Sequence, residues 1–178
     1  MKTFAYEAPV TIDQTITLMS QTQGQTLLLA GGTDLLVQLR ASNTDVDLVI
    51  DVKNIPELNQ VIYDEFLGLV IGAAAPCSQI YESSPILENF PAIIDAATII
   101  GGKAIQNRAS FGGNLCNASP SGDAIGAMMS LGAICNVVGL EGARNIPIEE
   151  FCIAPGKNVL AKGEMLISIQ IPCPKPNS

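Results

Sequence analysis

Between Thr26 and Val52 the order of residue types leaves little choice of local fold. Thr26 to Ala30 is a continuous apolar run, the pattern of a strand covered on both faces. Gly31 and Gly32 break it, Thr33 or Asp34 starts a short helix through Arg40, and Val46 to Val52 is a second buried strand. Strand, glycine turn, helix and strand make a βαβ unit. The glycine turn falls at the carboxyl end of its strand, which is where open α/β sheets bind ligands.

A second glycine pair lies about eighty residues on, inside Gly101 to Asp123, GGKAIQNRASFGGNLCNASPSGD. Ser110-Phe111-Gly112-Gly113-Asn114 reads as a tight turn, with two glycines free to take φ > 0 and to let a ligand approach the backbone. Consecutive N–H groups in such a turn can converge on an anion. Asn114, Asn117, Ser119 and Ser121 add short donors and acceptors, and Asp123 a carboxylate suited to sugar hydroxyls. Gly-Gly before Asn or Thr-Asp is also ordinary turn chemistry. The pairing of two such turns, with the polar run after the second, favours two loops closing on one diphosphate.

A chain of 178 residues fits one domain or two small lobes sharing a ligand, with a core large enough to need no staples. Only 15% of the residues are charged against 48% hydrophobic, which suits a subunit partly covered in an assembly. The net charge of −8 and the scattering of nine basic residues argue against nucleic acid. There is no histidine, which removes Ser-His-Asp and Cys-His nucleophilic machinery, His-ligated zinc and His general acid–base catalysis. No two of Cys77, Cys116, Cys135, Cys152 and Cys173 are closer than 17 apart, so no Cys-x-x-Cys pair exists and free thiols in a reducing cytoplasm are expected. Most read as small core residues; Cys116 stands out because it lies in the loop region. The N-terminus lacks the apolar core of a signal peptide. The uncharged run Ala124 to Leu140 is 17 residues long and glycine-interrupted, short of the ~20 a membrane span needs, and reads as a buried helix followed by a strand.

Elsewhere, Lys2 to Tyr6 reads as an opening strand, and Thr11 or Asp13 caps a helix to about Gln23 with Ile12, Ile16 and Met19 on one face. Val61 to Tyr63 and Leu67 to Ala73 form a hairpin turning through Asp64-Glu65. A short helix follows near Ser78 to Glu82, then a helical region from Pro85 to Ile100. Asp123 is expected to cap a helix through about Leu131; Ala133 to Val138 is a strand, Gly139 to Arg144 turn-like, Asn145 to Ile148 extended, and Met165 to Ile171 an alternating last strand. Pro172, Pro174 and Pro176 make the tail a linker.

Two nucleotide signatures and a glycosylation acceptor fail. There is no G-x-G-x-x-G, Gly102-Lys103 lacks the Ser/Thr and leading glycine of a P-loop, and Asn117-Ala118-Ser119 runs into Pro120 as a glycosylation acceptor. The acid pairs Asp45/Asp47 and Glu149/Glu150 are solvated strand ends and helix starts. What remains is a chain that binds a diphosphate ligand and leaves the hard chemistry to it.

The two loops, AGGTDL at 30–35 and IQNRASFGGNLCNASPSGD at 105–123, resemble the FAD-binding flavoprotein subunit or domain of the molybdenum hydroxylases, the group of xanthine dehydrogenase and carbon monoxide dehydrogenase. The resemblance continues through Leu131 to Ala133, Gly142 to Pro147, Phe151, Ala154 to Gly156, Gly163 to Ile167 and Ile171-Pro172. It implies an α+β fold, the two-lobed FAD-binding domain of the PCMH type, with a small α/β lobe over residues 1–57, a mixed α+β lobe over 58–178, and FAD between them. It implies that Leu28, Leu29, Ala30, Gly31, Gly32, Thr33, Asp34 and Leu35 wrap the diphosphate from one side and Ser110, Phe111, Gly112, Gly113 and Asn114 from the other. Asp123 would hydrogen-bond a sugar or ribityl hydroxyl, and Ile100 and Leu166 would pack against the flavin nucleotide. The implied role is an electron-transfer oxidoreductase component without catalytic side chains or metal ligands of its own. It would accept electrons from an iron–sulfur subunit, itself served by a molybdopterin-containing subunit, and pass them to NAD, a quinone or oxygen. The alternative is a non-catalytic assembly module that binds flavin weakly or not at all. This chain has Gln106, Ala109-Ser110 and Phe111 where the family usually has Arg, Gly-Thr and Ile, so Phe111 is expected to reshape the pocket or stack on a ring. The family's usual C-terminal domain, expected after Ile171-Pro172, is absent from this sequence.

Overall fold

The computed structural model describes residues 3–41 and 45–173, and Lys2, Pro174 and Pro176 of the expected opening strand and linker lie outside them. The first part of the chain runs β1 (Ala5–Glu7), α1 (Ile12–Gln21), β2 (Thr26–Leu29), α2 (Leu35–Ala41) and β3 (Leu48–Asp51). All three strands are parallel in the order β1-β3-β2, with Leu48 opposite both Ala5 and Thr26. The central strand β3 is buried along its whole length, Leu48 to Ile50 as an apolar run and Asp51 as a partnered carboxylate. Thr11 is the cap of α1: its Oγ1 accepts the Gln14 N–H at 3.2 Å, while Gln14 Oε1 accepts the Val10 N–H at 3.1 Å. The exchange closely resembles a capping box, and it selects Thr11 over Asp13.

A 3-10 turn over Pro56–Asn59 leads into β4 (Val61–Asp64) and β5 (Gly68–Gly72), the expected hairpin. Five short helices follow: α3 (Cys77–Tyr81), α4 (Ser84–Asn89), α5 (Pro91–Ile99), α6 (Lys103–Gln106) and α7 (Phe111–Asn117). The helical region expected from Pro85 to Ile100 is two helices, because Phe90 leaves helical geometry at φ −136°, ψ 58° just before Pro91. After α8 (Ile125–Ser130) come β6 (Ile134–Gly139), β7 (Gly142–Pro147), α9 (Ile148–Phe151), β8 (Cys152–Ala154), β9 (Lys157–Asn158) and β10 (Met165–Ile171). Gly142 to Arg144, expected in a turn, are the first residues of β7, and only Leu140-Glu141 remain to turn the hairpin.

The last strand sits in the middle of the second sheet, whose order is β4-β5-β10-β6-β7, antiparallel throughout. Its clean alternation does not become alternating burial: Met165, Leu166, Ser168, Ile169 and Ile171 are all buried. A register shift between Leu166 and Ser168 against β6 interrupts the period of two, and a central strand has cover on both sides. One core spans both sheets, joining Leu48 and Ile50 of the first, with Ile16 of α1, to Leu69, Ile71, Met165 and Ile169 of the second. A smaller cluster of Leu29, Leu39, Val46 and Val49 fills the other face of the small sheet, under α2. Among the described residues no helix is long and apolar enough to cross a membrane; the uncharged run after Ala124 is divided between α8 and β6.

At the carboxyl end of the small sheet Tyr6 donates its hydroxyl to Asp51 Oδ2 at 2.6 Å, and Lys53 meets Asp51 Oδ1, also at 2.6 Å. Burial pushes the Asp51 carboxyl up, but the hydrogen bonds from Lys53 and Tyr6 outweigh it and hold it below its ordinary value. A depressed carboxyl contributes stability that is present at neutral pH and lost as pH falls through the folded-state value. Replacing Tyr6 with Phe is therefore expected to cost about 1 kcal/mol at neutral pH. Urea midpoints at neutral pH and at about pH 3 check this, with the difference shrinking in acid as Asp51 protonates; a pH-independent difference contradicts it.

Candidate functional site

The first glycine turn is built as a close approach. Gly32 has φ 78°, a left-handed conformation that favours glycine, and its carbonyl accepts the Leu36 N–H at 3.1 Å to open α2. Gly31 lies against the segment that leads into α7, so close that a Cβ there would overlap the Arg108 carbonyl oxygen. Two stretches far apart in sequence thus touch backbone to backbone. Nearby, Asn117 donates its side-chain amide to Asp34 Oδ2 at 2.7 Å.

The second glycine pair is not the turn expected from its sequence. Ser110 is the cap of α7, its Oγ accepting the Gly113 N–H at 3.1 Å, and Phe111 to Asn114 form the first turn of that helix. Neither Gly112 nor Gly113 has a positive φ. Gly112 is required for another reason: α7 passes so close to Ala73 that a Cβ would overlap its carbonyl oxygen. At Gly113 an added Cβ would meet only Ser110 Oγ, at 3.1 Å. Asp123 does not cap α8 either. Ala124 holds the N-cap position without a side-chain bond, and Asp123 stands exposed beside it.

Between the two segments runs a cleft with two chambers. The polar one, of about 390 Å³, is lined by Leu28, Ala30, Gly31, Gly32, Thr33, Asp34, Leu35, Ile100, Ser110, Gly113, Asn114 and Asp123, with Gly101, Ile105, Asn117, Ser119 and Ser121 among the rest. The apolar one, of about 500 Å³, lies between the strand entry Gly24 to Leu28 and the segment from Asn158 to Leu166, with Met19, Val52, Leu58, Ala73, Ala74 and Gly112 in its walls. Leu28, Ala30, Gly113 and Cys116 line both, so the chambers are continuous. Each is within the range of about 300–1,000 Å³ usual for small-molecule sites.

All but two of the sequence-predicted site residues line this cleft. Leu29 turns into the cluster under α2, and Phe111 is fully buried in the main core, so the Phe111 side chain neither shapes the pocket wall nor reaches a ring within it. Gln106, in place of the family's usual arginine, is buried and donates its amide to the Thr98 and Gly101 carbonyls at 2.7 and 3.2 Å, satisfying the end of α5 without a charge. The apolar chamber was not legible in sequence. Its walls come from separated pieces such as Met19, Leu58, Ala74 and Leu160, each of which reads as an ordinary core residue.

The chemistry of the lining suits a nucleotide. Among the described residues no lysine or arginine lines the polar chamber, so an anion there would be met by backbone, amide and hydroxyl groups. Asn114 Oδ1 and Thr26 Oγ1, one from each chamber, are buried without a hydrogen-bond partner. Such orphans cost about 1–3 kcal/mol each, a cost that a polar ligand group can remove. The Cys116 thiol is pushed up to about 12 by burial, with Cys135 and Cys152 adding to the effect, so it is a neutral packing group. All five cysteines are free.

A polar chamber of glycine backbone, hydroxyls and carboxylates beside an apolar one has the chemistry of a dinucleotide-binding domain. The chain belongs to the family of the FAD binding domain in molybdopterin dehydrogenase, whose match covers residues 2–174. It is 34% identical over 172 residues to the xanthine dehydrogenase FAD-binding subunit of Escherichia coli O157:H7, covering 97% of this chain and 58% of that one. It is 30% identical over 182 residues to the nicotinate dehydrogenase FAD-subunit of Eubacterium barkeri, covering 100% and 61%. The reconstituted CO dehydrogenase from Oligotropha carboxidovorans superposes with a TM-score of 0.93 at 26% identity, over 98% of this chain and 60% of that one. The α+β fold and FAD as the cofactor follow from that membership. The chain spans about three-fifths of the length of these two curated relatives.

Gly31 and Gly113 make opposite predictions. Gly31→Ala forces its Cβ into backbone and is expected to cost about 1–3 kcal/mol of stability in flavin-free protein. Gly113→Ala meets one movable hydroxyl and is expected to leave the flavin-free unfolding midpoint nearly unchanged while weakening FAD, whose cleft it narrows. Thermal melts with and without FAD check both.

Proposed function

We propose that this chain is the FAD-binding electron-transfer part of a molybdenum hydroxylase. The observation that carries the reading is the continuous two-chamber cleft between the Gly31-Gly32 turn and α7. In it, the backbone of Leu28 to Leu35 and that of Ser110 to Asn114 hold the diphosphate from two sides. Asn114 Oδ1 gains the partner it lacks, and Asp123 accepts a hydrogen bond from a sugar or ribityl hydroxyl. Ile100 and Leu166 pack against the nucleotide, and the lobes of residues 1–57 and 58–178 close around it. FAD, when bound, supplies the redox chemistry; the protein's residues bind it, orient it and exclude water.

The wider role also belongs to this proposal. Electrons come from an iron–sulfur subunit that is served by a molybdopterin-containing subunit, and they leave to NAD, a quinone or oxygen. Five free cysteines suit the reducing cytoplasm as the site of that complex.

Purified protein incubated with micromolar FAD is expected to emerge yellow from gel filtration; a colourless protein that takes up none overturns the reading and favours a non-catalytic assembly module. Asp123→Asn then tests the sugar contact. Because Asp123 caps nothing, the variant should unfold at the midpoint of the unaltered protein, yet bind FAD more weakly by about 1.5–3 kcal/mol. Unchanged affinity, measured by titration of flavin fluorescence, places the hydroxyl contact elsewhere.

A further inference from the structure

The outer wall of the apolar chamber is a strap, Asn158 to Glu164, that leaves β9 at its last residue, Asn158, and reaches β10 through Val159 to Glu164, none of them in a helix or strand. It is held at both ends. Asn158 donates its side-chain amide to the Cys116 carbonyl at 2.7 Å and accepts the Leu160 N–H at 3.1 Å. At the other end Glu164 accepts the Ala161 N–H at 2.7 Å and meets Arg144 in a two-pronged pair, Nε to Oε1 and Nη2 to Oε2, each at 2.7 Å. Arg144 Nη2 also reaches the Val159 carbonyl at 3.3 Å. The same guanidinium therefore grips both shoulders of the strap. Gly139 leaves room for it: a Cβ there would press on Glu164 Cγ at 2.9 Å. At the strap's tip Lys162 donates to the Gln23 carbonyl at 3.4 Å, across to the segment between α1 and β2.

Arg144 itself lines neither chamber, and its side chain is 43% exposed, whereas Glu164 is 17% exposed and lines the apolar one. We infer that Arg144 is a positioning residue for the cofactor, which through Glu164 fixes the strap as a closed wall and so sets how slowly FAD leaves. The inference rests on the cleft being the FAD site. A planar fork on a carboxylate holds orientation as well as charge, so lysine in the same place keeps the attraction and loses the alignment. An ion pair this exposed contributes little to global stability, which leaves its effect to be felt locally, at the strap.

The test uses the full chain loaded with FAD and measures flavin release after dilution, by the rise of flavin fluorescence, alongside the unfolding midpoint of the flavin-free form. Arg144→Gln and Glu164→Gln are each expected to speed release about tenfold, the double variant no further than either single, and Arg144→Lys to restore release only in part. Flavin-free midpoints are expected to stay within about 3 °C. Release at the unaltered rate in the single variants, or additive effects in the double, overturns the inference. So does faster release accompanied by a matching fall in the flavin-free midpoint, since the pair would then serve the fold alone. Should Arg144→Gln fail to fold, Glu164→Gln and Arg144→Lys still decide. If the unaltered protein binds no FAD, the cofactor assignment fails first, and the two failures are told apart.

Discussion

Two backbone-to-backbone contacts hold the cleft in shape. Gly31 lies on the Arg108 carbonyl, and Gly112 lies on that of Ala73. The first sets the small parallel sheet against the segment entering α7, and the second sets α7 against the end of β5. Any side chain at either point would push the elements apart by more than a packed interior tolerates. The walls of both chambers, the Asp34–Asn117 bond and the exposed edge at Asp123 all follow from that spacing.

The cleft offers an anionic ligand very little positive charge. The chain carries a net −8, and two carboxylates, Asp34 and Asp123, stand in the polar chamber itself. Neutral donors in a partly dry site can serve where lysines would otherwise be used, because their dipoles are fixed by the fold rather than recruited from solvent. A carboxylate there is useful against sugar hydroxyls, which donate, and it discourages ligands that are anionic throughout. The buried orphans Asn114 Oδ1 and Thr26 Oγ1 belong to the same logic, since polar atoms left unpaired in a folded chain are tolerated where a bound molecule completes them.

The two sheets share one core, yet they enter the site differently. The parallel sheet offers the ends of its strands, as open α/β sheets do. The antiparallel sheet offers the start of its central strand, Met165 and Leu166, together with the strap that precedes it. With β10 buried on both sides and bonded to β5 and β6, the strap has a rigid element to hang from at one end. At the other it leaves the short strand β9, where the Val159 N–H donates to the Phe151 carbonyl at 2.9 Å and side-chain bonds from Asn158 and Arg144 add to that anchor.

Much of this was legible in the residues alone. The apolar run of β2 before a glycine pair dictated a strand ending in a tight turn, and the period of the flanking segments dictated the βαβ unit, because burial pattern is a local property of sequence. The polar run from Asn114 to Asp123 supplies residues that line the polar chamber, and its composition is likewise a local property of the sequence. What local pattern could not settle was which backbone each glycine faces. Ser110-Phe111-Gly112-Gly113 is compatible with a left-handed turn or with the first turn of a capped helix, and only the approach of Ala73 decides for the helix. Phe111 likewise lies in a segment whose neighbours face the cleft, but a helix turns successive side chains through about 100°, which sends it into the core. The apolar chamber and its strap were the least visible part. Their residues are ordinary one by one, and they become a wall only when Gln23, Cys116 and Arg144, from three separate stretches, are folded to within hydrogen-bonding distance of the strap.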